Sequence, residues 1–141
     1  DVSGLWALQY LMDQGFLDKK QERNMYVTFL ASTFRTLRFG LNAAHAKGMA
    51  LQVNHLLDAG AVRIDSQGRF SLDVPKTKRA VTALTSQIMT LQAHGDYAGV
   101  KRLMERMSVI RPEVQRVLDQ LGQVPVDIAP RFVTANTLAG S

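Results

Sequence analysis

Residues 41–73 read LNAAHAKGMALQVNHLLDAG-AVRIDSQGRFSLD, and the change of period inside this stretch decides the fold. From Leu41 to Ala59 the apolar positions Ala46, Ala50, Val53 and Leu57 follow helical spacing, and Gly60 closes the helix as a left-handed terminator. From Val62 the pattern alternates. Val62-Arg-Ile-Asp and Phe70-Ser-Leu-Asp73 flank the turn Ser66-Gln-Gly68-Arg69, which predicts a small β-hairpin over 62–73.

Helical periods continue on both sides. Leu5, Leu8, Tyr10, Leu11 and Met12 predict a first helix ending by Gly15, and Tyr26, Phe29, Leu30, Phe34 and Leu37 predict a second over 19–39, broken by Gly40. Downstream, Asp73 offers a cap, with Pro75 and Lys76 in the opening turn of a helix to about His94. Its stripe is Val81, Leu84, Ile88 and Leu91. Gly95-Asp96 ends that helix and caps the next, Tyr97 to Met107, and Pro112 opens a short one through Leu121. Beyond Gly122 the chain is punctuated by Pro125 and Pro130 and reads as an extended strap with disordered last residues. The expected architecture is mainly α: one helical domain over 1–141. It comprises a helical core over 1–121 carrying the hairpin and an extended C-terminal tail over 122–141.

Composition narrows the function. With 46% apolar residues, 141 residues can fill a core, and no apolar run is long enough for a membrane span. There is no cysteine, which removes disulfides, zinc fingers and thiol catalysis and accords with a cytoplasmic setting. The net charge of +5 is spread over Lys19-Lys20, Arg35/Arg38, Lys76/Lys78/Arg79, Lys101/Arg102 and Arg106, as on solvated helix faces. A nucleic-acid footprint would gather that charge on one face with aromatic partners. No Gly-rich phosphate loop, GxSxG elbow or EF-hand loop is present. The three histidines, His45, His55 and His94, do not form an HExxH pair, so no complete zinc site is expected within the chain.

The third helix carries the candidate chemistry. At about 100° per residue, His45, Gly48, Gln52 and His55 share a sector of roughly 80°. Gly48 costs a helix interior about 1 kcal/mol relative to alanine, a cost rationalised where a substrate or a backbone approaches closely. The alternative is a solvated stripe with a close helix–helix contact at Gly48. His45 is the better functional candidate, because an imidazole can donate a hydrogen bond to a developing oxyanion. His55, beside Asp58 near the helix end, reads as a surface residue that compensates the helix dipole. Arg35 and Arg38 either receive a substrate carboxylate or form structural ion pairs.

Five stretches carry a family resemblance: Asp1-Val-Ser-Gly-Leu-Trp-Ala-Leu8, Thr33-Phe-Arg-Thr-Leu-Arg-Phe-Gly40, Asn42-Ala-Ala-His-Ala-Lys-Gly48, Leu56-Leu-Asp-Ala-Gly-Ala61 and Gly95-Asp-Tyr97. In this order they resemble the C-terminal region of the dipeptidyl-peptidase III-like zinc hydrolases, some of which carry a Nudix domain upstream. The resemblance implies peptide or amide hydrolysis by zinc-activated water in a full-length parent. In that family two histidines of an HExxGH helix and a glutamate of an EExxAE or EExxAD motif hold the metal. Asp1 matches the last acidic position of the latter motif. By this match Asp1 orients a metal-ligating histidine, and the ligand glutamate is expected about one turn upstream of the chain start, which reads as a cut. His45 matches the histidine of an AHxxAR-like motif that helps polarise the scissile carbonyl. Gly48 and Met49 replace the alanine and arginine of that motif, a departure that bears on substrate choice.

The resemblance therefore implies a fragment carrying part of the substrate cleft, with His45 as its catalytic residue; Gly48, Gln52, Arg35 and Arg38 are candidate cleft residues from their helical positions alone. No metal ligand is expected within the chain, and the fragment alone is expected to be metal-free and inactive. Expected partners are the remaining N-terminal part of the same protein and a peptide-like substrate, without nucleic acid or membrane, and the fragment is expected to be prone to self-association. Two other classes are compatible with the helical pattern. A winged-helix reading of 19–72 is weakened because Lys47 is the one basic residue that its recognition helix carries. A helical interaction scaffold remains, although no second copy of Gly95-Asp-Tyr97 recurs at the spacing of about 34 residues that a tetratricopeptide array requires.

Overall fold

A computed structural model describes residues 2–126. In chain order these form α1 (Val2–Asp13), a 3-10 turn (Lys19–Gln21), α2 (Glu22–Leu37), α3 (Ala44–Asp58), β1 (Val62–Ile64), β2 (Phe70–Leu72), α4 (Val74–Ala93), α5 (Tyr97–Met107), α6 (Pro112–Gln120) and a second 3-10 turn (Leu121–Gln123). The mainly helical reading with one hairpin holds. Two boundaries differ from expectation. Asp18 accepts from the Lys20 amide and stabilises a 3-10 turn, so α2 begins at Glu22 rather than at residue 19. Gly40 is left-handed (φ 84°) and Ala43 is extended, so 41–43 form a connection and α3 starts at Ala44. The tail seen here is the 3-10 turn and the extended residue Val124; most of the expected strap, including Pro130, lies outside the described residues.

Helix α3 is the centre. Ala46, Met49, Ala50, Leu51, Gln52, Val53, Asn54 and Leu56 are all buried, and α2, α4, α5 and β1 pack around it. A winged-helix module would need this helix to offer a face to a groove; from 49 to 54 it has none. Such burial obliges its polar side chains to find partners. Fully buried Asn54 donates both Nδ2 protons, to the Met107 carbonyl at 2.8 Å and the Val109 carbonyl at 2.9 Å. The first is the last carbonyl of α5, which its own ladder leaves open, and the second lies two residues beyond the helix. Asp58 at the end of α3 receives a forked pair from Arg111, at 2.6 and 3.0 Å, which fixes the entry to α6.

The hairpin pairs Val62 with Leu72, Arg63 with Ser71 and Ile64 with Phe70, and Phe70 packs on Phe34 of α2 at 5.2 Å between ring centroids. Its turn is closed by Asp65, whose carboxylate accepts the amides of Gln67 and Arg69. Gly68 in that turn is left-handed (φ 74°) and lies under α6, where an added Cβ would stand 3.0 Å from the Arg116 carbonyl. Gln120 donates to the Gln67 carbonyl across the same contact. Asp73 and Asp96 cap α4 and α5 as expected, accepting from the amides of Lys76 and Gly99.

Helix α1 is set in place by a polar chain inside an apolar contact. Tyr26, fully buried on α2, donates to Gln9 Oε1, and Gln9 Nε2 donates to Asp13 at 3.2 Å. Lys78 of α4 donates to the same carboxylate at 2.6 Å. Three helices meet in this chain. Burial pushes the Tyr26 phenol above its ordinary range, so it stays a neutral donor. The Lys78 hydrogen bond holds the Asp13 carboxyl below its ordinary value, against the opposing effect of its partial desolvation.

Two outcomes follow from these contacts. Asn54→Ala strands two carbonyls and leaves a small cavity; it should lower unfolding stability by about 2–3 kcal/mol in a urea titration, with the slope unchanged. Asp13 binds its proton less readily folded than unfolded. Its contribution is therefore complete above its ordinary value of 3.8 and is lost as pH falls through the lower folded value. The stability gap between the native chain and Asp13→Asn should accordingly close on acidification below pH 3.8 and stay constant between pH 5.5 and pH 7.5 (roughly the range above carboxylate titration).

Candidate functional site

The His45–His55 stripe of α3 is divided by what crosses it. His45, the second residue of the helix, is exposed, Gly48 is partly exposed, and Gln52 is only 5% exposed. Val2 and Leu5 of α1 border, together with Gln52, His55, Ala80 and Val81, a residual space of about 10 Å³. Thus α1 lies over the lower half of the stripe, and its upper half stays open.

His55 is accordingly not the dipole-compensating surface residue that its place in the sequence suggests. Its Nε2 stands 3.0 Å from the Ala80 carbonyl of α4. A carbonyl only accepts, so Nε2 carries the proton and the ring ties α3 to α4. Periodicity could not show this, because α4 arrives from 25 residues downstream. Gln52 turns back on its own helix. Its Nε2 donates to the Gly48 carbonyl at 3.0 Å and approaches Met49 Sδ at 3.8 Å. Its Oε1 is buried without a hydrogen-bond donor among the described residues.

Gly48 lies at a cleft of about 280 Å³ between the start of α1, α3, α4 and α5, bordered also by Val2, Ser3, Leu51, Gln52, Leu91 and Leu103. Nothing stands within 4 Å of where a Gly48 Cβ would be. No other part of the described chain therefore demands the missing side chain, and the expected close helix contact at Gly48 is not found. The structure brings together Gly48, Gln52 and the first turn of α1, with His45 one turn above Gly48 on the same helix. Asp1 itself lies outside the described residues.

The two arginines part company. Arg38 donates through Nη2 to the carbonyls of Leu121 and Val124, both at 2.9 Å, and pins the 3-10 turn after α6 onto the end of α2. Arg35 is exposed on the last turn of α2. Sequence reasoning missed the Tyr26–Gln9–Asp13–Lys78 chain, although one signal was present. Gln9 occupies a core position in the spacing Leu5, Gln9, Met12, where a polar residue needs a buried partner.

Chemically, the stripe carries an exposed imidazole on the first turn of α3, one turn before the residue that borders an apolar cleft. Among the described residues no three of His, Asp or Glu stand close enough to hold a metal ion. These residues therefore do not by themselves make up a zinc site.

Comparison with known proteins agrees with the stretches read from the sequence. No protein-family model matches the chain. The structure of dipeptidyl-peptidase III from Corallococcus sp. strain EGB matches 100% of this chain and 26% of its own, with 54% identity and a TM-score of 0.86. The structure of the corresponding protein from Caldithrix abyssi matches 98% of this chain and 26% of its own, with 37% identity and a TM-score of 0.88. Nudix hydrolase 3 of Arabidopsis thaliana is 41% identical over 140 residues, 98% of this chain but 18% of that protein. In sequence and in fold this chain is thus similar to the dipeptidyl-peptidase III chains over about a quarter of their length.

Proposed function

We propose that the chain forms the substrate-side wall of a zinc-dependent hydrolase of peptide or amide bonds, with the metal held by residues elsewhere in the full-length protein. The observation that carries this reading is the 54% identity to a dipeptidyl-peptidase III across the whole of this chain. Within the wall, His45 is the catalytic residue. Its ring donates a hydrogen bond to the carbonyl oxygen of the scissile bond and stabilises the negative charge that grows there. Its place on the first turn of α3, outside the part covered by α1, supports that role. Asp1 orients a metal-ligating histidine across the junction. The cleft at Gly48 receives an apolar substrate side chain, and Gln52 holds the helical turn that shapes its floor. The absence of cysteine supports a cytoplasmic setting.

Position 49 departs from the motif, and the departure bears on substrate choice. The AHxxAR-like motif has arginine there, whereas Met49 is buried (7% exposed) with its sulfur 3.6 Å from Thr33 Oγ1. A cation at this place would sit among apolar side chains, so substrate selection rests on other groups.

In the full-length protein, His45→Ala should lower kcat about 100-fold, with zinc stoichiometry and KM little changed. A variant as fast as the native enzyme would remove His45 from the mechanism. The 141-residue chain alone should show neither stoichiometric zinc by mass spectrometry nor peptidase turnover. Either one would mean that this chain carries a metal site of its own, and a zinc-free full-length protein would favour a helical interaction scaffold instead.

A further inference from the structure

Helix α2 has a second face besides the one that meets the core. Asn24, Met25, Thr28, Phe29 and Ser32 recur at helical spacing along one wall of a groove of about 760 Å³. Gly4 and Leu8 of α1 form the opposite wall, and Met49 of α3 closes the floor. No residue lining this groove is charged, in a chain of which 21% is charged. From Gln21 to Ser32 the wall runs about 16 Å, three turns of a helix.

The outer side of α1 continues this uncharged surface. Trp6 and Tyr10 stack at 5.6 Å, and both are exposed, at 38% and 50%. Leu8 and Leu11 are exposed beside them. Asp13, at the last position, is the sole charged residue of α1. A helix apolar on every side is ordinarily covered on every side. One side of α1 is covered here, by the core; the other is open.

We propose that this groove seats a helix, uncharged on its docking face, contributed by the remaining polypeptide of the full-length protein. The inference rests on the reading of the chain as one part of a larger hydrolase and names where the rest attaches. Length supplies the occupant. The two solved relatives contain this fold at TM-scores of 0.86 and 0.88 within chains of which it is 26%. Three quarters of each of those polypeptides is thus available to cover such a face. The walls suit a helix rather than a loop. Gly4, Thr28 and Ser32 keep the rims low, nothing stands within 4 Å of a Gly4 Cβ, and Met25, Phe29 and Leu8 make the walls apolar above Met49.

The test is charge on the rim. Thr28 and Ser32 are exposed in this chain, so Thr28→Glu and Ser32→Glu should shift the Tm of the 141-residue chain by less than about 2 °C. In the full-length protein each should lower Tm by about 5 °C or more, because the glutamate is then buried against the docked helix. An unchanged Tm in the full-length protein overturns the proposal. So does an equal drop in the 141-residue chain, which would mean that the groove is filled by this chain itself or by a second copy of it. Zinc content, measured on the same full-length samples, separates the two readings. A metal-free protein whose Tm falls refutes the hydrolase and keeps the docking groove, and a zinc-loaded protein whose Tm is indifferent does the reverse.

Discussion

Burying a helix on every side means that each polar side chain along it must be answered from a neighbour, and this constraint organises the molecule around α3. Six consecutive residues, Met49 to Asn54, are removed from solvent. Asn54 answers by holding the last carbonyl of α5 and one just beyond it, and His55, just beyond that run, by holding a carbonyl of α4. Gln52 answers within its own turn through Nε2, while its Oε1 and the Asn54 Oδ1 meet no donor among the described residues. These bonds add little net stability each, but leaving any of them unmade would cost much more. They therefore fix the directions of α4 and α5 relative to α3 rather than simply strengthen the core. The clefts are consequences of those directions.

Features written in local chemistry were legible in the sequence, and features created by crossing elements were not. The hairpin was legible because its period, its turn glycine and its flanking carboxylates all lie within 12 residues. The Asp73 and Asp96 caps were legible for the same reason. The start of α2 was misplaced because Asp18 stabilises a 3-10 turn that shares the helical period over three residues. His55 was misread for a different reason. A histidine beside an aspartate at a helix end has the pattern of a surface pair, and only the approach of Ala80 makes it an interior tie. Of the candidate site, the sequence showed that His45, Gly48 and Gln52 share a face, but not that α1 would cover Gln52 and leave His45 outside.

Charge tells a similar story of local pattern and distant use. The basic excess looked like solvated helix faces, and Lys101 with its partner Glu105, one turn along α5, behaves so. The arginines that matter structurally lie at junctions. Arg38 holds the carbonyls after α6, and Arg111 forks onto Asp58 before it. Both bring a guanidinium to groups that a helix end leaves open or charged, a task for which its fixed fork suits it better than an ammonium would. The carboxylates of these junctions are held in their ionised form. The Arg111 hydrogen bond keeps Asp58 below its ordinary range, as that of Lys78 does for Asp13.

The departure at positions 48 and 49 can now be placed physically. Glycine for alanine at 48 removes a methyl group from a surface that touches nothing else in the described chain, and so widens the cleft without disturbing the core. Methionine for arginine at 49 acts in the opposite direction. It replaces a cation with a polarisable apolar side chain whose sulfur accepts from Thr33 and lies near Gln52, at the floor of the uncharged groove. An arginine there would have left a charge beneath the surface on which an apolar helix is proposed to dock. Positions 48 and 49 thus lie on two faces of α3, Gly48 at the cleft and Met49 at the floor of the uncharged groove.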